Sequence, residues 1–208
     1  EYYCDTKPCK IHIISDDPDG LKGMNMAKLA KARKLRFPIV KEYSDRLDGM
    51  QQWVIAAVPG KAWAKKVFPG LRTSVAMEKM WEAILATSRV NEDPVAAWNA
   101  HNADLQARCD HLNSLNIRSL HYTADNGTDL TVGMIEEGAW RGGGDTSLQG
   151  IFFNPNIPTE EVFTSPRKGD ADGIVYSSKP LSYGGQLIDN FSIRFENGKI
   201  VDMFTSFR

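Results

Sequence analysis

The sequence predicts an α/β N-terminal domain followed by a β-rich second domain. Two observations carry that reading. Strand-like and helix-like segments alternate up to about residue 115, which is the pattern of an α/β layer. After Ile117 helical periodicity stops, and two Asn-Gly pairs, at 126–127 and 197–198, sit between runs of strand character. The expected division is an N-terminal α/β domain over 1–116 and a β-rich domain over 117–208.

The elements follow in order. "KIHIIS", Lys10 to Ser15, alternates at first and reads as a short strand, closed by the turn cluster "DDPDG". From Asn25 to Leu47 the chain is rich in Ala, Lys, Leu and Arg, which are good helix formers. Pro38 is expected to kink or interrupt that helix, since it lacks an N–H and clashes with the preceding turn. "QQWVIAAVP" reads as a buried strand, and "KAWAKKVFP" as a short helix ended by Pro69. Thr73 to Ser88 is a stronger helix, with Met77, Met80, Trp81, Ile84 and Leu85 at the spacing of one face. Asp93-Pro94 starts the next, with Asp as N-cap and Pro in the first turn. Val95, Trp98, Leu105, Cys109 and Leu112 are its expected apolar face. Beyond it, Phe191, Ile193 and Phe195 alternate with Ser192, Arg194 and Glu196, as a half-buried strand requires.

Composition narrows the function classes. A chain of 208 residues with 42% hydrophobic and 25% charged residues has a globular balance. Its net charge of −1, with both signs mixed along the chain, provides no electrostatic footprint for nucleic acid or an anionic membrane. The three cysteines, Cys4, Cys9 and Cys109, have no framework spacing, and a reduced cytoplasmic setting is the expectation. The first ten residues contain no run long enough for the apolar part of a secretory signal, and no stretch approaches a membrane span.

Among candidate chemical groups, His12, His101, His111 and His121 form no zinc-type spacing, and packing or surface roles are the expectation. Cys109 lies on an apolar face with no visible base, so it reads as core. "RGGGDTSLQG", Arg141 to Gly150, has the glycines of a phosphate loop. No helix pattern follows it and Asp145 would repel an anion, so it reads as a flexible loop. Glu160 and Glu161 stand out because prolines hem them in. If Val162 and Phe163 begin a strand, alternation turns one glutamate inward, where a carboxylate needs an ionic or metal partner.

Several blocks match a known family in order: "VIAAVPGKAWAKKVFP", "MEKMWEAILATSRV", "DPVAAWNAHNADLQARCDHLNSLNIRSLHYTADNGTDLTVGM" and "NIPTEEVFTSP". Through them nearly the whole chain resembles the aminopeptidase T / aminopeptidase S / aminopeptidase II family of thermophilic-type metalloaminopeptidases. The resemblance implies a hydrolase that removes N-terminal amino acids from peptides, with 1–116 an α/β domain incomplete at its start and 117–208 the β-rich first part of a truncated α+β catalytic domain. It implies two divalent metal ions (zinc, cobalt or magnesium) and a homodimer around an enclosed active-site space. The family's first metal ligand, the glutamate of its E-V-F segment, falls on Glu161; Glu160 is its neighbour and is expected to be the more exposed. The later ligands are a further glutamate, histidines, a tyrosine and an aspartate, beyond the equivalent of Asp202. Here "MFTSFR" follows Asp202, and "EYYCDTKPC" differs from the family's usual start. The expectation is therefore a truncated member that lacks most of its ligands, with Asp170, Asp172 and Asp189 as the carboxylates left to improvise a second. Catalytic residues other than ligands are not assigned. The alternative is a non-catalytic interaction or dimerisation module.

Overall fold

The computed structural model describes residues 1–183 and 186–207. In chain order its elements are α1 (Tyr2–Thr6), β1 (Lys10–Ile14), α2 (Met26–Leu47), β2 (Trp53–Ala57), α3 (Lys61–Val67), α4 (Thr73–Thr87), α5 (Pro94–Ser114), β3 (Ser119–Thr123), β4 (Asp129–Met134), β5 (Arg141–Gly142), β6 (Asp145–Thr146), β7 (Phe152–Phe153), β8 (Asn156–Ile157), β9 (Val162–Phe163), β10 (Pro166–Tyr176), β11 (Leu181–Tyr183), β12 (Gln186–Glu196) and β13 (Lys199–Phe207). Among the described residues every regular element after Ile117 is a strand, as the loss of helical periodicity predicts. None of the helices among them is long and apolar enough to cross a membrane. The chain forms two compact units, one of Glu1–Gln106 with Gly142–Glu161 and one of Ala107–Arg141 with Val162–Arg208.

The first unit holds a parallel sheet in the order β1-β2-β8. Ile14 lies opposite Ala57, and Ala56 opposite Ile157, so all three strands point the same way. Strand β8 was not foreseen, because two residues carry no readable period. Its segment is not a free loop either. In "RGGGDTSLQG" Ser147 is buried, its hydroxyl accepts from Gln52 Nε2 at 3.0 Å, and the Leu148 N–H donates to the Gly49 carbonyl at 2.8 Å. These bonds fasten the glycine-rich stretch beside β2, which corrects the flexible-loop expectation.

The core of this unit lies where α3 meets α4. Ala64 and Ala76, both 0% exposed, meet Met80 and Ile84, with Trp63 and Phe68 packed against them. Small residues let two helices approach closely. The buried stripe of α4 is therefore Ala76, Met80 and Ile84, while Trp81 and Leu85 of the predicted face are exposed. On α5 the predicted face is closer: Trp98, Leu105 and Cys109 are buried, and Val95 is exposed. Asp93 caps the helix as expected, its Oδ1 accepting from the Ala96 N–H at 3.0 Å. Helix α2 runs unbroken through Pro38, against the interruption considered above. Residues 30–42 are exposed, so solvent can satisfy the carbonyl that Pro38 leaves free.

The second unit is a six-stranded antiparallel sheet in the order β11-β12-β10-β4-β3, with β13 also on β12. At the β12–β13 hairpin Asn197 and Gly198 have φ of 50° and 70°, the two positive values of the primed turn that Asn-Gly predicts. The β3–β4 connection is looser. Only Gly127 is positive there, and residues 124–128 form the loop between the paired Thr123 and Asp129. Gly173 on β10 has φ of 122°, and a Cβ there would lie 2.1 Å from the Asp129 carbonyl oxygen, so this close crossing admits only glycine.

Candidate active-site loop at the carboxyl edge of the parallel sheet

Strands β1, β2 and β8 end on one edge at Ile14, Ala57 and Ile157. In open α/β sheets, ligands bind outside the carboxyl ends of the strands. A groove of about 590 Å³ opens there, lined by Ile14, Ile55, Ala57 and Ile157 together with the Pro158–Glu161 loop. Its walls are apolar, and Glu160 and Glu161 are the two charged groups of its lining. The loop leaves β8 directly, so the short strand fixes where the two carboxylates begin.

The loop is tied to the helices of the same unit. Thr159 is buried, and its carbonyl accepts from His101 Nε2 at 2.7 Å. A carbonyl can only accept, so Nε2 carries the proton. The His101 side chain is 9% exposed. It packs edge-on against Trp98, with ring centroids 5.7 Å apart. Trp98 in turn donates from Nε1 to the Ser88 carbonyl at 2.8 Å. The next residue, Arg89, has the left-handed φ of 56°. Its guanidinium sits 5.8 Å from the Trp98 ring centroid and binds Glu160 Oε1 at 2.6 Å. That hydrogen bond holds the Glu160 carboxyl below its ordinary value; partial burial opposes it, and the charges of Arg89 and His101 add to it.

Both glutamates are exposed, so alternation into β9 turns neither one into the interior. Glu160 is 65% exposed but engaged by Arg89, whereas Glu161 makes no ion pair among the described residues. The carboxylates expected to improvise a second ligand are committed within the second unit. Asp170 takes Arg167 Nε and Nη2 at 2.9 and 2.6 Å, Asp172 accepts from the Asn197 N–H at 2.7 Å, and Asp189 is buried in β12. His12, His111 and His121 are exposed, and His121 Nε2 lies 2.7 Å from Asp129 Oδ1. Cys4 and Cys109 are buried and Cys9 is exposed, all three as free thiols. Among the described residues no group of three or more His, Cys, Asp or Glu side chains could hold a metal ion. Glu161 is a fitting oxygen donor, but the described residues do not by themselves make a metal centre.

Arg89 carries no signal in the sequence, Trp98 is expected there only on the apolar face of α5, and His101 only in a packing or surface role. One signal was present: Trp98 and His101 stand three apart on a helix, so they share a face. Their partner loop lies 58 residues further on from His101, and nothing in a single sequence connects the two.

Comparison with known proteins shows the family. A family profile described as thermophilic metalloprotease (M29) matches residues 1–206, and the chain belongs to that family. It is 42% identical over 195 residues to aminopeptidase AmpS of Bacillus subtilis, covering 93% of this chain and 47% of that protein. It is 38% identical over 199 residues to aminopeptidase T of Thermus aquaticus, covering 93% and 48%. The structure of wild-type AmpT from Thermus thermophilus superposes with a TM-score of 0.83 at 35% identity, covering 95% of this chain and 48% of that one. The chain spans about half the length of the curated relatives it matches.

Proposed function

We propose that this chain is part of a metal-dependent aminopeptidase that removes N-terminal residues from peptides, and that Glu161 gives one oxygen ligand to a divalent ion. The observation that carries the assignment is the difference between two neighbours. Arg89 takes up Glu160, which leaves Glu161 as the unpaired carboxylate at a groove on the carboxyl edge of the sheet. Family membership supports the chemistry. One carboxylate is fewer than the about three protein ligands of a catalytic zinc site. The remaining ligands would come from the half of the relatives' length that this chain does not match. The proposal includes two ions of zinc, cobalt or magnesium, a homodimer and a cytoplasmic setting. It also includes the division at 116/117, with 142–161 as an excursion of the second domain that adds β8 to the first unit.

The test is release of the chromophore from leucine p-nitroanilide with saturating Co²⁺, Zn²⁺ or Mg²⁺. The 208-residue chain is compared with a protein joining it to the remaining catalytic half found in its relatives. Turnover is expected only in the joined protein, and it is expected to fall with Glu161→Gln. Comparable turnover by the chain alone would overturn the ligand count.

A second reading, an association module, has one observation in its favour. Ile200, Met203 and Phe204 of β13 are exposed, and β13 pairs with β12 alone among the described residues. An apolar strand of this kind is a template for pairing with another chain. Sedimentation at increasing concentration would show self-association if this reading holds.

A further inference from the structure

We infer that Arg89 and His101 are positioning residues that give the two adjacent glutamates different jobs: Glu160 anchors the loop, and Glu161 is the carboxylate presented to the groove. The inference rests on the reading of Glu161 as a ligand, but what it states is a property of the loop without metal.

The loop is held at two successive points, the Thr159 carbonyl by His101 and the Glu160 carboxylate by Arg89. Glu161 follows directly on these two fixed residues, so holding Thr159 and Glu160 restricts the directions open to it. The two anchors are not independent. Trp98 touches the His101 ring, lies against the Arg89 guanidinium, and binds the carbonyl of Ser88, the residue before Arg89. The end of α4, one face of α5 and the loop thus form a closed circuit of contacts within one unit. Arg89 contributes through its backbone as well. Its left-handed conformation is uncommon for a residue other than Gly, Asn or Asp, and such strain persists where surrounding contacts hold it. Here the N–H of Arg89 donates to the Ala86 carbonyl at 3.2 Å while its side chain reaches Glu160. The circuit also explains why an exposed acidic pair is not simply solvated: one member has a fixed cationic partner and a buried neighbour, and the other has neither.

The experiment is ¹⁵N NMR on the full chain with chelator present, so its outcome is independent of whether Glu161 binds a cation. In the wild type, His101 is expected in the Nε2–H form, and the Glu160 and Glu161 amides are expected to have order parameters near about 0.85, the rigid range. Glu160→Gln and Arg89→Met are expected to lower them toward about 0.6. Glu161→Gln is expected to leave them unchanged. His101→Gln, whose amide N–H can still reach the Thr159 carbonyl, is expected to retain order that His101→Leu loses. If His101→Leu does not fold, the tautomer and the Glu160/Glu161 contrast still decide. Equal loss of order in Glu160→Gln and Glu161→Gln, or His101 in the Nδ1–H form, would overturn the inference.

Discussion

The two units are stabilised by different means. In the first, α3 and α4 bury alanines, Met80 and Ile84 against each other, and the sheet contributes three short strands. In the second, long antiparallel ladders do most of the joining, and only Cys109 and Met134 of its apolar residues are buried among those described. A unit built on side-chain packing is sensitive to lost volume, whereas one built on strand crossings is sensitive to backbone conformation. The candidate site follows the same division. Its groove and both glutamates lie in the packed unit, where His101, set against the buried Trp98, holds the loop.

The sharpest way to break that comparison is in the sheet. Gly173→Ala puts a Cβ against the Asp129 carbonyl at a positive φ, and should cost about 3 kcal/mol or more from strain and overlap. Urea unfolding would measure it. In the packed unit, Met80→Ala should cost about 2–5 kcal/mol by the same measurement, the range for emptying a buried site of this size. Ile193→Ala on the half-buried face of β12 should cost less than Met80→Ala. Equal costs for the two would remove the distinction between the units.

Smaller effects concern the thiols. Cys9 is exposed while Cys4 and Cys109 are buried, so Ellman's reagent should modify Cys9 in the native chain and all three thiols after unfolding. Burial first, and the neighbouring Asp110 second, push the Cys109 thiol above its ordinary value of 9.0. The unfolded thiol therefore ionises first. The stability linked to Cys109 is complete below pH 9.0 and is lost as pH rises through the native value. Urea midpoints measured across that range should decline less in Cys109→Ala than in the wild type.

Much of this architecture was legible because its signals are local. The Asp93-Pro94 start of α5 and the Asn197-Gly198 turn depend on residues within a few positions, and both appear where those residues put them. The buried stripe of α4 was misread toward its large residues, since periodicity cannot say that Ala76 packs against Ala64. Strand β8 exists through pairing with Ile55 and Ala56, about a hundred positions earlier, and its two residues have no pattern of their own. In the site, the acidic pair was conspicuous beside its prolines. The difference between its members was not, because it depends on Arg89, which only folding brings to Glu160.

That difference is most directly tested by Mn²⁺ titration of the chain, followed as paramagnetic broadening of backbone amide resonances. A lone carboxylate binds weakly, so concentrations on the order of millimolar are needed. The account predicts that Glu161 and its neighbours broaden first, that Glu161→Gln abolishes the effect, and that Glu160→Gln leaves it centred on Glu161. Broadening that begins at Asp170, Asp172 or Asp189, or that survives Glu161→Gln unchanged, would contradict it.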